Sequence, residues 1–198
     1  MTPVPPAIAT STTPSPLKSP LAMPCTAWAA CNCAAANAAP AVAGEARCVW
    51  EHLPEAGRAA VLAGDLATTS ATMRAAVTNR EYAVSLVACG VTDKTATAAG
   101  RAINAYALQL KAQQVLASDA NLAPDRLDAA WRALGEALKS RLARHAVDNT
   151  ADPDITFDAV QAFADGLGLT GSSFKMEVLA LTYYVLARSA LAVYEPRF

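Results

Sequence analysis

The side chains best suited to chemistry are a cysteine, a glutamate and a histidine at Cys48, Glu51 and His52. A thiolate and an imidazole four residues apart would share one side of a helical turn, where both could bind one transition-metal ion. Pro54 indicates, however, that a helix begins after this group. The surrounding sequence offers no third and fourth ligands. We therefore expect no metal and no cofactor, and we interpret these residues as structural.

A serine–lysine pair of the S-x-x-K type lies at Ser172-Ser173-Phe174-Lys175. In enzymes with this motif the lysine stands one helical turn after a nucleophilic serine. Neither of the companion motifs S-D-N and K-T-G follows it here. The pattern therefore predicts no catalytic serine.

Acidic side chains are concentrated at four positions between two predicted helices, namely Asp148, Asp152, Asp154 and Asp158. A calcium-binding loop needs a glycine at position six and a glutamate at position twelve. Counted from the first aspartate, these positions hold Pro153 and Ala159. We interpret the aspartates as helix caps and first-turn carboxylates.

The remaining candidates have simple structural interpretations. His145, near the end of a predicted helix, can interact with the last carbonyl groups of that helix. A basic group beside it is typical of a solvated face and consists of Arg132, Lys139, Arg141 and Arg144. Four tyrosines could line a pocket between helices, although aromatic side chains at helical spacing more often belong to a core: Tyr82, Tyr106, Tyr183 and Tyr184. No catalytic constellation emerges, which argues against an enzyme.

The chain changes character near residue 43. Residues 1–43 hold eight of the twelve prolines, three of the five cysteines and a single charge, Lys18. We expect this segment to be disordered or removed, since it buries little apolar surface. Its end, Ala41-Val42-Ala43 before Gly44, fits cleavage of a secretory signal peptide between Ala43 and Gly44. The alternative is a low-complexity alanine- and proline-rich linker.

Removal of residues 1–43 would leave two cysteines, Cys48 and Cys89. An even number of cysteines in an exported domain predicts a disulfide, which would tie the N-terminal arm to the helical body. In a reducing compartment the same residues would instead be buried free thiols. The predicted location is therefore periplasmic or secreted, with a cytoplasmic protein as the alternative.

Residues 44–198 are predicted to form a single all-α bundle of about six helices. Helix starts are indicated by Pro54, Thr68–Ser70, Thr92, Pro124, Asp152-Pro153 and Ser172. Gly64 is expected to end the first helix. The predicted apolar faces include Val84 and Val87 in the second helix and Phe157, Val160, Phe163 and Leu167 in the fifth. No stretch alternates with the period of a strand. The last helix has no charge between Glu177 and Arg188, which predicts a central position, and this run is too short to span a bilayer.

The charge balance narrows the choice of partner. The formal net charge is −1, with 16 basic and 17 acidic residues among 198. No overall positive field favours nucleic acid. We expect a small exported helical protein that binds a protein or a small ligand without catalysis. The alternatives are a cytosolic helical subunit or adaptor of a larger assembly and, third, an enzyme whose residues converge from different helices.

Overall fold

Helices form the whole regular structure of the chain in residues 45–148 and 153–198, which are the residues that the computed structural model describes. These ranges contain nine α-helices and no strand. The helices are α1 (Ala46–His52), α2 (Glu55–Ala63), α3 (Thr69–Ala76), α4 (Asn79–Ala88), α5 (Ala96–Ala120), α6 (Pro124–Ala133), α7 (Glu136–Asp148), α8 (Pro153–Leu167) and α9 (Gly171–Tyr194). The all-α prediction is confirmed, whereas the expected number of helices was too low. Residues 1–43 and the cleavage site between Ala43 and Gly44 lie outside the described residues.

Two of the predicted helices are each divided in the structure. The second breaks at Val77, because Thr78 caps α4: its hydroxyl accepts the Glu81 N–H, while the Glu81 carboxylate accepts the Thr78 N–H at 2.8 Å. Such a capping box starts a new helix. The fourth divides around Leu134 and Gly135, so that α6 and α7 are separate.

The helix α1 forms where the sequence predicted an arm without periodicity. Its helical conformation is held by burial, since Ala46, Val49 and Trp50 are all enclosed. The Ala46 N–H also donates to the Glu195 carboxylate at 3.1 Å. Trp50 packs edge-on against Tyr106 of α5, with ring centroids 6.3 Å apart. Tertiary packing therefore stabilises a helix too short to be stable alone.

The two long helices α5 and α9 run antiparallel and join two groups of buried side chains. The first half of α5 and the end of α9 enter the N-terminal cluster, together with α1 to α4. The second half of α5 and the start of α9 enter the C-terminal cluster, together with α6, α7 and α8. Most of the other helices thus pack beside this central pair, whereas α4 packs on α1.

The central position of α9 is confirmed by its side chains. Leu181, Tyr184 and Val185 are fully buried, although Leu179 on the opposite side is 57% exposed. By length and composition alone, Glu177–Arg197 would be long and apolar enough to cross a membrane, with a mean hydropathy of 1.2. Half of it is buried inside the protein. Packing within the bundle accounts for its apolar character.

Some predicted apolar faces point outward. In α4, Val84 and Val87 are 62% and 75% exposed, while Ser85 and the following Cys89 are buried four residues apart. The buried side of this helix therefore carries the Ser85 hydroxyl and is followed by the Cys89 sulfur, and the two valines that were predicted to be buried face outward. Phe157, at the start of α8, is also exposed, whereas Val160, Phe163 and Leu167 enter the C-terminal cluster as predicted.

Candidate functional site

A cleft of about 500 Å³ opens between α3, α5, α7 and α9. Its volume lies within the range of small-molecule sites. The polar part of its lining comes from Ser70 and Arg74 of α3, Arg101 and Asn104 of α5, His145 of α7 and Tyr194 of α9. Small apolar side chains complete it, among them Ala105, Leu108, Ala187 and Ala190. Four helices therefore contribute to one site.

The cleft is basic. Arg74, Arg101 and His145 line it, and the described residues place no carboxylate in the lining. Neither arginine forms an ion pair with another described residue. Positive charge without a protein counter-ion favours binding of an anion.

Tyr194 fixes one of these arginines. Nη1 of Arg101 donates to the Tyr194 hydroxyl at 2.5 Å, and this hydroxyl donates to the Ala146 carbonyl at 2.8 Å. The guanidinium also lies over the tyrosine ring, 5.2 Å from its centroid. These contacts connect α5, α7 and α9 at the cleft. They hold a guanidinium in place before any ligand arrives, which reduces the entropy lost on binding.

Two buried polar atoms of the cleft have no hydrogen-bond partner. They are Oδ1 of Asn104 and Nδ1 of His145, whereas Nδ2 of Asn104 donates to the Gly100 carbonyl at 2.9 Å. Buried polar atoms in native proteins are nearly always hydrogen-bonded. The Asn104 oxygen is enclosed by the protein, so a hydroxyl or amide donor of a bound molecule would reach it after rotation of the Asn104 side chain.

An apolar extension adjoins the cleft. A second cavity of about 400 Å³ shares Arg74 and Asn104 with it and is further lined by Met73, Val77 and Tyr82. Burial raises the pKa of the Tyr82 hydroxyl. The two cavities together offer a charged region and a neighbouring apolar region.

The predicted cysteine pair is brought together in a different part of the protein. Sγ of Cys48 and Sγ of Cys89 lie at disulfide distance, with their Cα atoms 5.9 Å apart. Both residues are buried. Nδ1 of His52 lies 3.8 Å from the first sulfur and 3.6 Å from the second. Cys89 is thus a third potential metal ligand beside Cys48 and His52, and the local sequence spacing did not reveal it.

The ends of α1 and α4 position this group. Cys48 and His52 stand one turn apart in α1, and Nδ1 of His52 lies 2.9 Å from the Cys48 carbonyl oxygen. The Ser85 hydroxyl joins the two helices, since it lies 3.0 Å from the His52 carbonyl and 2.9 Å from that of Glu81. Cys89 follows the last turn of α4.

The structure separates the charged groups that the sequence placed together. Lys139 pairs with Glu136 at 2.8 Å, and Arg141 lies 3.8 Å from Asp158. The Arg144 side chain lines a different cavity, together with Arg197. The predicted basic face is therefore partly neutralised by its own neighbours. The side chains of Ser172, Ser173 and Asp148, and residue Asp152, lie outside what the structure describes.

The predicted tyrosine pocket is only partly present. Tyr82 lines the apolar extension, but Tyr106 packs against Trp50, and Tyr184 stacks on Phe163 with centroids 5.3 Å apart. Burial raises the pKa of Tyr184 far above its usual value, and its hydroxyl donates to Asp128.

Sequence reasoning missed four residues of the cleft, which are Arg74, Arg101, Asn104 and Tyr194. These positions are spread over 121 residues of chain, and no spacing marks them as a group. Comparison of the chain with models of protein families, with curated proteins and with solved structures finds no match.

Proposed function

We propose that this chain is an exported helical protein that binds a small organic anion in the cleft and performs no catalysis. The observation that carries this proposal is the pairing of two arginines lacking a counter-ion with a buried, unpartnered amide oxygen at Asn104. The arginines select negative charge, and the amide oxygen selects a hydrogen-bond donor beside it.

The shape of the site suggests the ligand class. A carboxylate would lie between Arg74 and Arg101, with a hydroxyl or amide group towards Asn104. The apolar extension beside Met73 and Val77 would then receive a short hydrocarbon portion. A hydroxylated aliphatic carboxylate has all three features.

The absence of catalysis is part of the proposal. A serine–histidine nucleophile would need Ser70 hydrogen-bonded to His145, and a carboxylate to orient the histidine. The described lining residues form neither contact. This geometry therefore favours a binding site over a catalytic site.

Calorimetric titration of the full-length protein tests the binding. The probes are hexanoate, its hydroxylated analogue and its neutral amide. We expect affinity in the order hydroxy acid, acid, amide, and a matching rise in melting temperature. Arg74→Ala should weaken binding of the acids by about tenfold or more, as loss of one charge-assisted hydrogen bond requires. Arg74 is exposed, so its loss leaves the fold intact.

The matched control is Arg132→Ala, which removes an exposed arginine on α6 that does not line the cleft. It should bind as the wild type does. Equal binding of the amide and the acid, or unchanged binding by Arg74→Ala, would contradict the proposal.

Export is supported by the cysteine pair at disulfide distance and by the alanine-rich end of the first 43 residues. N-terminal sequencing of the protein recovered outside the cytoplasm should begin at Gly44. An unprocessed protein found only in the cytoplasm would contradict this part.

A subunit of a larger assembly is the second candidate function. It is favoured by Val84 and Val87, which are exposed on one side of α4. A native mass well above that of one chain, restored to one chain by Val84→Asp with Val87→Asp, would support it. A single-chain mass for the wild type would reject it.

A further inference from the structure

We propose that reduction converts the Cys48–Cys89 pair into a zinc site, which His52 completes. This site is separate from the cleft and does not depend on the ligand proposed there. The described residues contain one group of three such donors close enough to share a metal ion, and it is this group, with all its ligand atoms within 4.8 Å of one another.

The distances suit tetrahedral zinc. Bonds of about 2.3 Å to sulfur and about 2.0 Å to nitrogen place a sulfur and a nitrogen about 3.5 Å apart. Nδ1 of His52 already lies 3.8 Å from Sγ of Cys48 and 3.6 Å from Sγ of Cys89. Once the sulfur–sulfur bond is broken, the sulfurs need to separate to about 3.8 Å. The Cα atoms lie 5.9 Å apart, and rotation of the two cysteine side chains would provide this separation.

The donor set determines the class of metal. Two thiolates and one imidazole favour zinc and disfavour hard cations such as magnesium or calcium. The sulfurs are buried and His52 is exposed, so the remaining coordination position faces solvent. Glu51 is held by Arg47, whose Nε lies 2.7 Å from its carboxylate. Water or a small ligand would therefore take the fourth position.

The hydrogen bonding of His52 changes with the state of the site. Nδ1 lies 2.9 Å from the Cys48 carbonyl oxygen, so without metal it donates its proton there. Zinc requires the lone pair of this nitrogen, and the ring proton then resides on Nε2.

The disulfide and the zinc-bound state differ by two electrons, which are exchanged with a small dithiol. A dithiol reductant gives two electrons and two protons to the disulfide, yielding two protein thiols, and itself becomes a disulfide. Zinc then displaces one proton from each thiol, which releases two protons for each ion bound. In the reverse direction, a small-molecule disulfide accepts two electrons from the two thiolates and two protons from water and becomes a dithiol, while the protein disulfide re-forms and zinc is released. The two states exclude each other because they use the same sulfur atoms.

The test uses the full-length chain with Cys25, Cys31 and Cys33 replaced by serine, so that only the two relevant thiols remain. Protein reduced by a phosphine under nitrogen is titrated with zinc in competition with a chromophoric chelator. We expect one zinc per chain for the reduced protein and none for the oxidised protein. Cobalt should give the visible bands of a tetrahedral site with thiolate charge transfer.

Two variants identify the third ligand. His52→Ala should weaken zinc binding by more than about tenfold, since even loss of an outer-shell partner costs that much. Glu51→Gln, a neighbour tied to Arg47, should bind zinc as the parent does. Zinc should also protect both thiols from alkylation in the parent but poorly in His52→Ala. Circular dichroism confirms that each variant is folded.

The proposal is overturned if the folded, reduced protein binds no stoichiometric zinc. It is equally overturned if the oxidised protein binds zinc as tightly, or if His52→Ala binds it as tightly as Glu51→Gln.

Discussion

Reduction of the Cys48–Cys89 bond should cost the protein a large part of its stability. The bond would close a loop with a sequence separation of 41, which runs from the middle of α1 to the residue after α4. Loop-closure entropy for this length is about 13 cal/mol/K, or about 4 kcal/mol at 25 °C. Folded domains are commonly stable by only about 5–15 kcal/mol. Reduced protein should therefore unfold at a much lower urea concentration.

The measurement compares urea unfolding of oxidised and phosphine-reduced protein that carries serine at Cys25, Cys31 and Cys33. A chelator must be present, because zinc bound to the reduced form would restore part of the lost stability. The double variant Cys48→Ala with Cys89→Ala is the control, since the reductant should not change its unfolding.

The reasoning is refuted if reduction lowers the free energy of unfolding by less than about 1 kcal/mol, against the roughly 4 kcal/mol worked out from the loop. It is refuted also if the oxidised, denatured protein already has two free thiols. In that case the sulfurs approach each other without bonding, and the argument for an oxidising compartment fails.

Three further predictions concern the packing of the bundle. Leu181→Ala should lower the free energy of unfolding, measured in urea, by about 2–5 kcal/mol, because this side chain is fully buried. Leu179 is 57% exposed, so Leu179→Ala should cost far less. Similar losses for the two variants would contradict the central position of α9. Gly57→Ala should destabilise the protein by about 1–3 kcal/mol, since the added Cβ would lie 2.9 Å from Cγ2 of Val77. An unchanged urea midpoint would show that Val77 can move away without cost. Burial raises the pKa of Glu177. The stability that depends on its neutral carboxyl group is therefore fully present below the unfolded pKa of about 4.3 and is lost as pH rises through the folded pKa. Glu177→Gln should therefore raise the urea midpoint at pH 7.5 but not at pH 4, and a gain of equal size at both would contradict the assignment.

The sequence predicted those helix ends that depend on local chemistry. Gly64 follows the end of α2, and α6 begins at Pro124, as expected. The break before α4 also has a local signature, the spacing of Thr78 and Glu81 that makes a capping box, although the apolar periodicity runs across it. By contrast, α1 had no such signature, because this helix depends on burial against α5 and on the hydrogen bond that the Ala46 N–H donates to the Glu195 carboxylate.

The two sites differ in how much of each could be predicted from the sequence. Counting cysteines was enough to pair Cys48 with Cys89, because residues 44–198 contain no other cysteine. The position of His52 beside both sulfurs depends on how α4 packs on α1, which no local pattern encodes. The cleft was harder still, because single side chains such as Arg74 and Asn104 meet only after four helices have assembled.

The shared role of α9 in both clusters has a consequence for the timing of folding. Every cluster needs side chains from this helix, which is the last long helix of the described chain. At a synthesis rate of about 5–20 residues per second, α1 to α8 exist for seconds before α9 can join them. Contacts between α5 and α9 span many residues, so they form late. For the export proposed above, such delayed closure would keep the growing chain unfolded enough to pass through a narrow channel.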